Sequence, residues 1–221
     1  MARSLLTLNS LHCAVAISLF SPLLLAASPD DASDPAAFIL QTEQDAPLQA
    51  TRANLRHYGQ PWLLVGVRSQ SLTLFDEWGR QQQRYIVSTA RRGVGEQVNS
   101  YQTPRGWHHV CEKLGAGAEA DTIIFRRRVT PWKYTAELHQ QYPDKDWILT
   151  RILWLCGDEP GRNQGGNVDS YDRAIYLHGA GDHVAFGTPT SLGCVRMKNP
   201  DIIQLFDQTP NGIDVLIDEN S

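Results

Sequence analysis

Leu63-Leu64-Val65-Gly66-Val67, Ser71-Leu72-Thr73-Leu74-Phe75 and Arg84-Tyr85-Ile86-Val87-Ser88-Thr89 are three short runs of apolar, β-branched and aromatic residues. A tight connection joins the first two, and Asp76-Glu77-Trp78-Gly79 turns the chain into the third, so the segment reads as a β-meander. The same signals predict further strands at Trp107–Leu114, Thr122–Val129, Trp147–Leu155, Ala174–His178 and Ile213–Ile217. One helix is predicted after Asn199-Pro200, with Asn199 as N-cap, Pro200 in the first turn and Ile203, Leu205 and Phe206 on its apolar side. The expected fold class is mainly β: a two-sheet β-sandwich with one or two packed helices.

Composition bounds the partners. The chain has 221 residues and 42% hydrophobic content, enough for one well-buried domain, and its net charge of −4 gives no footprint for nucleic acid. Anionic ligands must therefore be attracted locally, and Arg126-Arg127-Arg128, Arg173 and Arg196 are the candidates. The arginine run by itself reads as a solvated strand or strand end. Adjacent His108 and His109 point to opposite faces of a strand, and no Cys-x-x-Cys or His-x-x-x-His pair is present, so neither a metal nor another cofactor is expected.

Before Ala27, Arg3 is the only charged residue, and the apolar run Ala14–Ala27 is too short to span a bilayer comfortably. Residues 1–27 read as a signal peptide, cut near Ala27, ahead of an uncleaved anchor or a cytoplasmic start. Residues 28–58 read as an acidic linker with a short helix around Ala50 to His57, and 59–221 as the functional domain. Export, into the periplasm, is expected, with no stable membrane insertion after cleavage. Oligomeric state is not legible. Cleavage leaves Cys111, Cys156 and Cys194. Cys111 and Cys156 either pair with each other or remain two buried free thiols, and the second reading is preferred.

The chemistry concentrates in His178-Gly179 and Ser191-Leu192-Gly193-Cys194-Val195-Arg196-Met197. A thiol attacks as thiolate, and a neighbouring imidazole lowers its pKa, so Cys194 and His178 are the expected nucleophile and base. Gly193 lets its own and the Cys194 N–H groups approach a developing oxyanion, Ser191 and Gly179 support the loop, and Arg196 offers a fork to a carboxylate. Tyr176, two residues before His178, shares its strand face and is expected to line the site. The loop Gly157–Ser170 carries Asp158 and Glu159, a pair that a glycosidase would use as acid and base. Its Gly, Pro, Asn and Asp content reads more simply as a substrate-facing lid.

His-Gly followed after a spacer by Ser-X-Gly-Cys-Val-Arg resembles the signature of the YkuD, or L,D-transpeptidase, family. Thr103-Pro104-Arg105-Gly106 resembles that family's Thr-Pro-X-Gly element, and the resemblance extends over roughly residues 60 to 218. Leu192 stands where many members have His. The resemblance implies a two-step transfer on peptidoglycan stem tetrapeptides through a Cys194 acyl-enzyme. D-Ala is released and the acyl group passes to an amine, as in cell-wall cross-linking or protein anchoring. Trimming by an L,D-carboxypeptidase uses the same first step and is the alternative. A non-catalytic peptidoglycan-binding module is a further one, and it would not need both thiol and base.

Overall fold

The computed structural model describes residues 59–221. The expected signal peptide, the linker and the helix around Ala50 to His57 lie outside the described residues. Ten strands follow in chain order: β1 Trp62–Gly66, β2 Ser71–Phe75, β3 Gln81–Ser88, β4 Gly106–Leu114, β5 Thr122–Phe125, β6 Arg128–Lys133, β7 Leu149–Gly157, β8 Tyr176–Ala180, β9 Val195–Lys198 and β10 Asp214–Asp218. Helix α1 is Ala136–Gln141 and helix α2 is Asn199–Gln208.

The expected meander forms, with β1, β2 and β3 antiparallel and in order. The expected two-sheet sandwich does not. The strands run in one sheet, β4-β10-β1-β2-β3-β9-β8-β7, and β4 also pairs with β7, so the sheet closes on itself as a barrel. Alternation of apolar residues reports one buried face per strand and is the same for both architectures; only the β4–β7 register separates them.

Cys111 and Cys156 are disulfide-bonded across that closing seam, with Cα atoms 5.8 Å apart, which corrects the preferred reading of two free thiols. The register brings Cys156 opposite His109, and a bulge between Val110 and Glu112 places Cys111 within reach of it. A separation of 45 residues in sequence carries no hint of this adjacency. The same two sulfurs and His109 form a compact donor group, but the sulfurs are committed to each other.

Two further expectations change. The predicted strand Thr122–Val129 is a hairpin, β5 and β6, with Arg126 and Arg127 at its tip in left-handed conformation (φ 50° and 66°). Asn199 is the first residue of α2 and not its N-cap: Lys198 holds that position, and the Asn199 amide donates to Asp121 at 2.6 Å. Helix α1 had no apolar stripe to announce it, and none of its residues is buried; Thr135 caps it by accepting the Leu138 N–H.

Strand β7 explains how the core positions the site. It is buried on nearly every residue, because it is covered on both faces. Leu153 and Leu155 point into the barrel, where they meet Leu177, Val195, Met197 and the α2 residues Ile202, Leu205 and Phe206. Ile152 and Trp154, on the other face, pack with Ile124 of the hairpin and with Tyr176. Each fully buried large apolar side chain contributes roughly 1.5–3 kcal/mol, so both layers resist slippage of β7. A one-residue slip would exchange the two layers.

Candidate active site

Strands β8 and β9 run parallel, with Leu177 opposite Val195 and His178 opposite Arg196. Leu177, Val195 and Met197 fill the barrel. Period-two geometry therefore sends Tyr176 and His178 of β8, with Cys194 and Arg196, to the other face. The nucleophile candidate and the base candidate share this face because two motifs apart in sequence become neighbouring strands. Cys194 packs, partly buried, against the cluster of Ile124, Ile152, Trp154 and Tyr176.

His178 is fully buried and its Nδ1 lies 2.8 Å from the Gly179 carbonyl oxygen. A carbonyl only accepts, so Nδ1 carries the proton and Nε2 presents a lone pair. Nε2 is buried with no hydrogen-bond partner among the described residues. Burial holds the His178 pKa below the usual histidine value. Gly179 has no room for a side chain: a Cβ there would sit 2.7 Å from the Leu149 carbonyl oxygen.

The Cys194 thiol donates to the Ala174 carbonyl at 3.4 Å, and Ala174 adopts a left-handed φ of 56°. Burial pushes the thiol pKa up to about 12, with Asp146 adding to the rise and Arg196 and Arg173 opposing it. The resting site thus holds a neutral thiol and a neutral imidazole. This corrects the expectation of a thiol acidified in the free protein: desolvation outweighs the charges around it.

The turn before Cys194 is tied down from within and from outside. Ser191 donates to the Cys194 carbonyl and accepts the Gly193 N–H at 3.2 Å. One of the two expected oxyanion donors is therefore engaged inside the turn. Gly193 has φ 136°, which disfavours any side chain, and its carbonyl accepts from Thr103 Oγ1 at 2.9 Å. Thr103, fully buried, also accepts the Ala90 N–H at 3.0 Å, which gives the Thr-Pro-X-Gly element a physical role as the clamp on the nucleophile's turn. Leu192 stands on the exterior of the turn, 39% exposed.

Arg196 is almost buried and is held by Asp146, at 2.8 Å from Nη2 and 3.1 Å from Nε, and by Thr190 at 3.2 Å. Its fork is occupied by the protein's own carboxylate. Asp146 was missed in sequence, where Asp144-Lys145-Asp146 reads as ordinary loop. Tyr176 accepts from Arg127 Nε at 3.3 Å and stacks edge-on against Trp154. Arg173 donates to the Gln102 carbonyl at 2.7 Å. Asp158 and Glu159 are engaged by His109 and by the Trp107 N–H, each at 2.6 Å, so the loop Gly157–Ser170 is fastened to the start of β4 and each carboxylate faces its own structural partner.

The family model described as YkuD, L,D-transpeptidase catalytic domain, matches residues 60–217. The chain belongs to the YkuD family. Among curated relatives, "Probable L,D-transpeptidase YbiS" of Escherichia coli (strain K12) is 28% identical over 151 residues, 62% of this chain and 48% of that protein. "Probable L,D-transpeptidase ErfK/SrfK" of Salmonella typhimurium is 27% identical over 125 residues, 57% of this chain and 35% of that protein. The chain spans about half the length of YbiS and about a third of ErfK/SrfK. Among solved structures, Bdellovibrio bacteriovorus Bd1075 covers 74% of the chain and 49% of its own at TM-score 0.47 and 18% identity. L,D-transpeptidase 3 from Mycobacterium tuberculosis covers 72% of this chain and 61% of its own, with TM-score 0.44 and 14% identity.

Proposed function

We propose that this YkuD-family protein is an L,D-transpeptidase that acts on peptidoglycan stem tetrapeptides through a Cys194 acyl-enzyme. The observation that carries the reading is the buried, unpartnered Nε2 of His178, whose proton-bearing Nδ1 is fixed by Gly179, on the strand face that also presents Cys194.

The Cys194 thiol passes its proton to His178 Nε2 as sulfur attacks the carbonyl carbon of the residue at position three of the stem. The C–N bond to D-Ala breaks, and the imidazolium returns the proton to the leaving amine. A second amine then attacks the thioester, His178 takes one of its protons, and the sulfur leaves as the thiol. Because the thiol is neutral at rest, proton removal and attack belong to one event triggered by a bound substrate. The Cys194 N–H is the oxyanion donor in this scheme, with Gly193 freed if the turn relaxes from Ser191. An exported, periplasmic location puts the enzyme beside this substrate.

Incubation of the protein without residues 1–27 with disaccharide tetrapeptide, followed by product masses, tests the reading. Cross-linked dimer with released D-Ala is expected. Tripeptide alone assigns a carboxypeptidase, and binding without D-Ala release assigns a non-catalytic module.

A further inference from the structure

A cleft of about 380 Å³ is lined by Ile124, Arg126, Arg127, Ile148, Ile152 and Tyr176. Ile124, Ile152 and Tyr176 belong to the apolar cluster, and Ile148 and Cys194 both pack against it, so the cleft and the nucleophile candidate adjoin the same cluster. Its only charged lining residues are the two arginines at the tip of the β5–β6 hairpin. We propose that Arg126 and Arg127 form a subsite that binds a carboxylate of the donor peptide next to Cys194. This rests on the transpeptidase reading given above.

Three observations support it. First, the two guanidinium groups lack an anion. Among the described residues Arg126 and Arg127 hold no carboxylate, as is true of several other arginines, but these two line the cleft. Arg127 instead lies over the Trp154 ring at 4.2 Å and donates to Tyr176, while Arg126 lies over Phe125 at 5.5 Å. Glu112, the carboxylate nearest in effect to Arg127, accepts from the Tyr171 hydroxyl at 2.7 Å.

Second, the backbone there is costly for arginine. Two consecutive left-handed residues at a hairpin tip favour Asn-Gly, and a residue with a long side chain is disfavoured at each position. Without an ion pair among the described residues to offset that cost, the side chains at Arg126 and Arg127 point to a ligand. Third, the protein carries net charge −4, so an anionic substrate gains nothing from the global field and needs a local fork. Stacking on Trp154 and the bond to Tyr176 hold the Arg127 fork in place beforehand, which reduces the ordering cost on binding.

The test separates this subsite from the catalytic reading by measuring binding without turnover. Disaccharide tetrapeptide is titrated into the Cys194→Ala protein by tryptophan fluorescence, with Arg126→Gln, Arg127→Gln and the double variant on that background. Each single change is expected to weaken binding roughly 10-fold, and the effect should shrink with added salt. Peptides amidated at one carboxylate at a time identify the group: with the correct one blocked, the arginine variants and the parent bind alike. In the Cys194 protein the same changes raise KM for D-Ala release with kcat within about twofold. Unchanged Kd and KM in variants that melt like the parent overturn the subsite while D-Ala release continues. Equal loss for all amidated peptides assigns the arginines to packing and also overturns it. If neither binding nor D-Ala release is seen with the unsubstituted protein, the transpeptidase reading falls and takes the subsite with it.

Discussion

The hydroxyl of Thr103 donates to the carbonyl oxygen of Gly193 at 2.9 Å, across 90 residues of sequence, and fixes the turn from which Cys194 projects. Because the Thr103 hydroxyl oxygen also accepts the Ala90 N–H, a near-isosteric Thr103→Val change strands two buried backbone groups at once. The cost is about 1–3 kcal/mol in stability. D-Ala release is expected to fall at least roughly 10-fold, since a displaced nucleophile loses attack geometry. Thr103→Ser retains the hydroxyl and should restore most of both. Thermal unfolding with D-Ala release on the three proteins checks this; wild-type turnover in Thr103→Val would remove the clamp from the account.

The pH profile follows from the neutral pair. His178, depressed by burial, stays neutral and able to take a proton at pH 7, and loses that ability only as pH falls through its lowered pKa. The thiol, pushed up to about 12, gives no ionisation in the neutral range. We expect kcat/KM for tetrapeptide to fall on the acid side with an apparent pKa below 6.5, and to show no limb between pH 7 and 9 from Cys194. Alkylation of free Cys194 should still be accelerating at pH 9. An alkylation rate that levels off near pH 7 would mean a preformed thiolate.

Asp146 and Arg196 form one unit, so they are expected to fail together. Arg196→Lys keeps the charge but loses the planar fork, and Asp146→Asn leaves a nearly buried guanidinium without its anion. Each should lower the melting temperature, and a double-mutant cycle should give a coupling of about 1–3 kcal/mol. KM for tetrapeptide should change only a few-fold. An unchanged melting temperature with a large rise in KM would assign Arg196 to the substrate.

Cys194, His178 and Gly179 were legible as a group in sequence because they lie in two short motifs that resemble one family's signature, and these motifs become adjacent strands. What was not legible depends on register. The barrel closure and the disulfide arise from β4 meeting β7, and Asp146 reaches Arg196 from a loop 50 residues away. The Arg126-Arg127 hairpin was hidden because its tip lacks the Asn and Gly that usually mark such turns. The raised thiol pKa was invisible for a different reason: it comes from desolvation, which no local pattern reports.

The Cys111–Cys156 bond crosses the closing seam of the barrel, so its loss should act on stability and not on chemistry. The double change Cys111→Ser, Cys156→Ser is expected to destabilise by roughly 2–4 kcal/mol, read by denaturant unfolding. D-Ala release at 25 °C should persist, because neither sulfur takes part in the thiol–imidazole pair. Abolished turnover in a variant that remains folded would contradict this division.

The central claim, that Cys194 carries the acyl group, is tested most directly by intact-protein mass after brief mixing with disaccharide tetrapeptide whose side-chain amine has been acetylated, so that no acceptor amine is present. The account predicts a single adduct equal to the substrate less D-Ala on the unsubstituted protein, none on Cys194→Ala, and a greatly slowed adduct on His178→Ala. D-Ala release by Cys194→Ala, or an adduct on it of the same mass, would contradict the account.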